Sequence, residues 1–175
     1  FLNNIFVNNN AHSNPILIVN QTQNLNFSCP HSDNINLINV NEIGLSKSRN
    51  LAIENAKADI CLLADDDIVY ENNFGSIVLN AFNINPSADI ITFKMSDLNG
   101  NSFKDYPVVI NHNKKSLSFV NSVVIAFRRN SIISNKVFFD ENFGLGSTFQ
   151  TADEYVFLRN ALNLKLNIVF LKLNC

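Results

Sequence analysis

The sequence predicts an α/β domain with a mostly parallel central sheet. Two observations carry the prediction. Short apolar runs, Ile16-Leu17-Ile18-Val19 and Ile60-Cys61-Leu62-Leu63-Ala64, have the length and continuity of strands buried on both faces. Segments with helical spacing of apolar residues separate such runs, so helix and strand alternate over roughly the first 95 residues, the rhythm of a doubly wound sheet. The chain has 175 residues and is 46% hydrophobic, enough for one sizeable core, so a single domain over 1–175 is expected.

In chain order, Phe1, Leu2, Ile5 and Phe6 fall at helical spacing and predict a short opening helix. Strand 16–19 follows Pro15, and the polar stretch 21–34 reads as a loop. Residues 35–40 alternate apolar residues with Asn and read as a second strand. Residues 44–58 read as a helix with an apolar face at Leu45, Leu51, Ala52, Ile53 and Ala56, and Ser46 is its expected N-cap. The third strand is 60–64. A helix over 71–84 is stopped by Pro86, and strand 89–95 follows. Asn99-Gly100 predicts a hairpin turn. Residues 123–127 read as a strand and 143–147 as a flexible glycine-containing loop. A helix over 151–162 has Thr151 and Glu154 at capping-box spacing, and 166–171 reads as a last strand.

Composition narrows the function. The net charge is −2, and the basic residues form only pairs, Lys114-Lys115 and Arg128-Arg129, so a nucleic-acid partner is not expected. No apolar stretch reaches the roughly 20 residues of a membrane span. Cys29, Cys61 and Cys175 are odd in number and lack CxxC spacing, which favours a reducing cytosol over a disulfide framework or zinc site. His12, His31 and His112 sit in no motif and are expected on loops or the surface. The chain opens on Phe1 and closes directly out of an apolar run at Cys175, so both ends read as cut.

The chemistry concentrates at Asp65-Asp66-Asp67, where the third strand ends. Ligands of open parallel sheets bind outside the carboxyl ends of the strands. Three adjacent carboxylates repel one another unless a cation or water compensates them. Oxygen donors of this kind suit Mg²⁺ or Mn²⁺ bridging to a diphosphate, while a solvated acidic turn is the alternative. EF-hand spacing and a P-loop are both absent.

Two stretches resemble the family 2 glycosyltransferases. The first is Asn41-Glu42-Ile43-Gly44-Leu45-Ser46-Lys47-Ser48-Arg49-Asn50-Leu51-Ala52-Ile53, followed by Ala58-Asp59 and the strand into Asp65-Asp66-Asp67. The second is Phe139-Asp140-Glu141-Asn142-Phe143-Gly144-Leu145-Gly146-Ser147 with Ala152-Asp153-Glu154-Tyr155-Val156-Phe157-Leu158, similar to the family's acceptor loop and acidic helix start. The resemblance implies a GT-A fold, a Rossmann-like α/β/α sandwich. It also implies a divalent metal, Mn or Mg, at Asp67 with Asp65, and Asp66 as a sharer on the donor side. Asp65 would contact the ribose or base of the donor, and Arg49 and Lys47 would face its diphosphate or base.

Glu154 occupies the position of the catalytic base, with Asp153 as the alternative because the family's usual Glu-Asp order is reversed here. The alternative is that Glu154 is the capping partner of Thr151. Where the family's second strand ends in acidic residues that read the base, this chain has Asn20 and Gln21, which offer amide hydrogen bonds instead. By the same resemblance the first strand and the C-terminal part of the family domain lie outside the chain.

The implied reaction is inverting transfer of a sugar from a nucleotide-sugar donor to a hydroxyl of a saccharide or lipid-linked acceptor, in surface polysaccharide or glycolipid assembly. It would take place in the cytoplasm or at the inner face of the cell membrane, with any membrane attachment supplied by segments outside this chain. Two other readings stand beside it. One is a nucleotidyltransferase, which would need a glycine-rich basic loop not seen here. The other is a non-catalytic module that binds nucleotide sugars.

Overall fold

The computed structural model describes residues 14–22, 28, 33–65, 67–71, 73–97, 99–106, 108 and 110–174. The expected opening helix, His12, His31, Cys29, Cys175 and Asp66 lie outside these residues. The strands are β1 (Ile16–Gln21), β2 (Ile35–Val40), β3 (Ile60–Leu62), β4 (Ile90–Lys94), β5 (Ile125–Arg128) and β6 (Ile168–Asn174). The helices are α1 (Leu45–Asn55), α2 (Phe74–Ile84), α3 (Arg129–Ser134) and α4 (Asp153–Asn163). Two 3₁₀ turns, Ser116–Phe119 and Ser122–Val124, lead into β5.

β1 and β2 form a parallel pair in register from Ile16 opposite Ile35 to Gln21 opposite Val40. The other four strands form a sheet ordered β3-β5-β4-β6. β4 and β6 are parallel, whereas β5 runs antiparallel to both of its neighbours, so this sheet is mixed. Reversal of β5 is possible because the long segment 95–124, with no α-helix among its described residues, links it to β4 in place of a strand–helix–strand crossover.

The core is continuous across this sheet. Ile90, Ile91 and Phe93 of β4, Ile125, Ala126 and Phe127 of β5, and Ile168 and Val169 of β6 are buried. Val78, Ala81 and Phe82 of α2 and Phe157, Leu158 and Ala161 of α4 are buried with them. Phe157 stacks on Phe139 with centroids 4.3 Å apart. Truncating a ring packed this way costs about 3–5 kcal/mol.

Polar groups fasten the frame. Arg128 donates to the carbonyl of Phe82 in the last turn of α2 and to those of Pro86 and Ala88 just beyond it, and its guanidinium lies 5.0 Å from the Phe82 ring centre. Arg129 donates to Ile53 and Glu54 at the end of α1. Cations suit these unsatisfied, partially negative carbonyls. No helix of the described residues is long and apolar enough to cross a membrane.

Several local expectations change. Gly44, not Ser46, is the N-cap of α1, with φ +135° and no side-chain cap. Ala152 caps α4 in the left-handed region, without a side-chain bond, so the Thr151–Glu154 capping box does not form. α3 was not expected, since six residues are too few for a periodic signal. His112 is not a surface residue. It is 7% exposed, its ring nitrogens bond Thr92 Oγ1 at 2.7 Å and Ser116 Oγ at 2.9 Å, and burial depresses its pKa to about 4. The Asn99-Gly100 turn forms as expected, closed by an antiparallel bridge between Ser96 and Ser102.

Candidate functional site

The site is assembled from the amino end of α1, the carboxyl end of β3 and the amino end of α4. Positions 46, 49 and 53 form the buried stripe of α1, and a charged residue, Arg49, falls in its middle. A buried guanidinium needs counter-charges. Arg49 has two: Asp65 Oδ1 at 3.1 Å and Asp153 Oδ2, to which it is hydrogen-bonded. Its remaining face lies over the Phe139 ring, 5.3 Å from the centroid. Arg49 and Asp153 are 7% and 4% exposed.

Asp65 lies three residues past the end of β3. Leu63 fixes the strand end, its N–H donating to Ile125 and its carbonyl accepting from the Tyr70 hydroxyl at 2.9 Å. The second Asp65 oxygen accepts from Ser122 Oγ at 3.5 Å. Asp67 is exposed and makes no ion pair among the described residues. Glu154 is half-buried beside Asp153. Burial holds its carboxyl above the usual carboxylate range; the neighbouring Asp153 charge adds to this and Arg49 opposes it.

The glycine segment is pinned rather than loose. Leu45 N–H donates to Leu145 O at 2.9 Å, and Ser46 Oγ donates to Phe143 O at 2.7 Å. Gly144 N–H donates to Phe149 O, and the rings of Phe143 and Phe149 stack. Gly146 has φ +79°, and a Cβ there would stand 2.9 Å from Ile43 Cγ2 and 3.2 Å from Gly44 N. Glycine serves close approach here, where the sequence suggested freedom.

The remaining candidates lie around this cluster. Lys47 is on the outer side of α1, paired with Glu42 at 3.6 Å. Asn20 bonds Asn39 across the parallel pair at 2.9 Å, and Gln21 donates to Gly44 O at 2.8 Å, tying β1 to the start of α1. Ser122, Asn121 and Lys104 had no signal in the sequence. Lys104 donates to Asn121 Oδ1 and feels the charge of Glu154, which partly offsets the lowering of its pKa by burial.

The structure of S. aureus TarS 1–349 matches the chain with a TM-score of 0.64 and 17% identity, covering 90% of this chain and 48% of that one. The fold is shared with TarS. TarS, a teichoic acid glycosyltransferase, is also solved as the 1–349 fragment with UDP-GlcNAc and with UDP. These match at TM-scores of 0.61 and 0.58, each 20% identical over 79% of this chain and covering 40% and 41% of TarS 1–349. The chain therefore has the Rossmann-like α/β fold seen in TarS and spans about half or less of the TarS structures it matches. No protein-family model and no curated protein matches the chain.

Among the described residues no three acidic, histidine or cysteine side chains gather at one point. Asp65 has one oxygen committed to Arg49, while Asp67 offers both oxygens to solvent. Mg²⁺ and Mn²⁺ sites in phosphoryl chemistry commonly use one or two carboxylates together with substrate phosphates, and this donor set fits that pattern.

Proposed function

We propose that the chain is the donor-binding and catalytic portion of a nucleotide-sugar-dependent glycosyltransferase that is metal-dependent and inverting. The observation that carries the reading is Arg49, which joins the carboxylate at a strand's carboxyl end to the first residue of the acidic helix. The fold shared with TarS, solved with UDP-GlcNAc and UDP, supports a nucleotide sugar as donor.

In this reading Arg49 does not reach the donor itself. It orients Asp65 toward the ribose or base and Asp153 toward the interior, leaving Glu154 as the base. A carboxylate whose pKa is raised by burial removes a proton more readily. Glu154 takes the acceptor hydroxyl proton as the oxygen bonds to the anomeric carbon. The bond from that carbon to the phosphate oxygen breaks, and its electron pair leaves with the nucleoside diphosphate. Mn²⁺ or Mg²⁺ held through Asp67, with Asp65 and Asp66 beside it, supplies charge neutralisation for the diphosphate when bound. Asn20 and Gln21 close the β1 side through amide groups, and Lys47 lies on the outer rim.

The acceptor in this proposal is a hydroxyl of a saccharide or lipid-linked glycan in surface polysaccharide or glycolipid assembly, on the cytoplasmic side of the membrane. The test is transfer or hydrolysis of UDP-GlcNAc and other nucleotide sugars by the full-length protein with Mn²⁺. Binding without turnover over the whole panel would leave a non-catalytic binding module, and binding of none would overturn the reading.

A further inference from the structure

Among the described residues most cations near the carboxylate cluster are committed to carboxylates or helix-end carbonyls, and Arg159 of α4 donates to the Tyr155 hydroxyl. Arg49 is taken by Asp65 and Asp153, Lys47 by Glu42, and Arg128 and Arg129 by helix-end carbonyls. Lys104 makes no ion pair among the described residues. Its ammonium donates to a neutral oxygen, Asn121 Oδ1.

Its location is defined from two sides. Asn121 precedes Ser122, whose hydroxyl holds the outer oxygen of Asp65. On the other side the charge of Glu154 acts on Lys104 without a direct contact. Lys104 is therefore tied to Asn121, the neighbour of the Ser122 that contacts Asp65 at 3.5 Å, on the same side of the molecule as the strand-end carboxylate. The half-buried Lys104 ammonium is held by an amide oxygen and lies 6.0 Å from the Phe103 ring centre, so it has lost hydration without gaining a contacting carboxylate. An arriving anion would supply the counter-charge, whereas a neutral sugar hydroxyl would not.

We propose that Lys104 is a phosphate-binding residue of the donor site, contacting the diphosphate of the nucleotide sugar and of the nucleoside diphosphate product. The proposal rests on the glycosyltransferase reading. It gives the diphosphate a side-chain cation that Arg49, already neutralised twice over, does not provide. Lysine serves phosphate as a point charge, and its attraction grows as the leaving oxygen gains negative charge.

The experiment is calorimetric titration of the full-length protein with UDP, GDP, CDP and ADP in Mn²⁺, taking the tightest ligand forward with its parent nucleoside. The variants are Lys104→Met, Lys104→Gln and Lys104→Arg, with folding followed by circular dichroism. Lys104→Gln keeps a donor for Asn121 and replaces Lys104→Met if the latter fails to fold. The expected result is a loss of about tenfold or more in diphosphate affinity for the uncharged variants, with Lys104→Arg within about threefold and nucleoside affinity unchanged. Unchanged diphosphate affinity in the uncharged variants would overturn the role of Lys104 and leave the glycosyltransferase reading intact. An equal loss for nucleoside and diphosphate would also overturn it, since that marks a structural role. If the wild type binds none of the four diphosphates, both readings fall.

Discussion

Arg49 and Asp153 stand 104 positions apart in the chain and meet in a buried ion pair. The pair joins α1 to α4, and through the second nitrogen of Arg49 it also reaches Asp65 at the end of β3. Three elements thus converge on one guanidinium, and that convergence gives the first prediction.

Arg49→Met leaves two carboxylates facing each other with no cation between them. Breaking a buried pair in this way costs about 3–5 kcal/mol, and the variant should show that loss in urea denaturation. Arg49→Lys should recover only part of it, because an ammonium does not span both carboxylates with the geometry of a guanidinium. Wild-type stability in Arg49→Met would show that the ion pair contributes nothing.

Glu154→Gln should lower kcat by about 10²–10⁴-fold while nucleotide binding persists, since only proton removal is lost. The base works ionised, so wild-type kcat/KM should fall as pH drops through the Glu154 pKa. Burial raises that pKa above the ordinary value of 4.5, so the acid limb should lie above it. A limb at or below 4.5, or a Glu154→Gln variant with full turnover, would move the base elsewhere, with Asp153 next in line.

Removing metal with EDTA should abolish turnover, and Mn²⁺ should restore it. Asp67→Ala should raise the Mn²⁺ concentration needed for half-maximal rate by about tenfold or more, with the melting temperature unchanged because Asp67 is exposed. Metal-dependent turnover that survives this change would remove Asp67 from the metal site.

His112 makes stability depend on pH. Its folded pKa is about 4 against 6.5 for the free side chain, so the unfolded state binds the proton first as pH falls. The stability it contributes is complete above about pH 6.5 and is lost progressively toward pH 4, amounting to a few kcal/mol across that window. Denaturation curves between pH 7 and 4 should show this slope, and His112→Gln should flatten it.

Gly146→Ala places a methyl group against Ile43 and the Gly44 backbone at φ +79°. The expected cost is about 1–3 kcal/mol, read as a lower melting temperature. Transfer activity should fall as well, because Leu145 would lose its bond to the first turn of α1.

The sequence made the frame legible where one period held over a whole element. β2 matched at both ends, and β1 and β4 to within two residues, because unbroken or alternating apolar residues leave little choice of register. α3 escaped because one and a half turns cannot show a helical period. The capping box was expected and did not form, because Thr151–Glu154 spacing says nothing about the left-handed turn that Ala152 adopts.

At the site, Arg49, Asp65 and Asp153 were visible as motif residues, but their mutual neutralisation was not. The motif pointed Arg49 at a ligand, whereas the buried stripe of α1 turns it toward two carboxylates. Lys104, Asn121 and Ser122 come from irregular segments, where no spacing rule links position in the chain to position in space. His112 lies in a loop as expected, but its burial was not visible for the same reason.

The consecutive arginines at the junction of β5 and α3 also act as a ruler. Arg128 serves the last turn of α2 and Arg129 the end of α1, so each is addressed to a different helix. A slip of β5 by one position would turn both guanidinium groups away from their carbonyls and leave two helix ends bare. The sheet's one reversed strand thus carries its own alignment mark, and an insertion or deletion in β5 should be tolerated less well than a change of side chain within it.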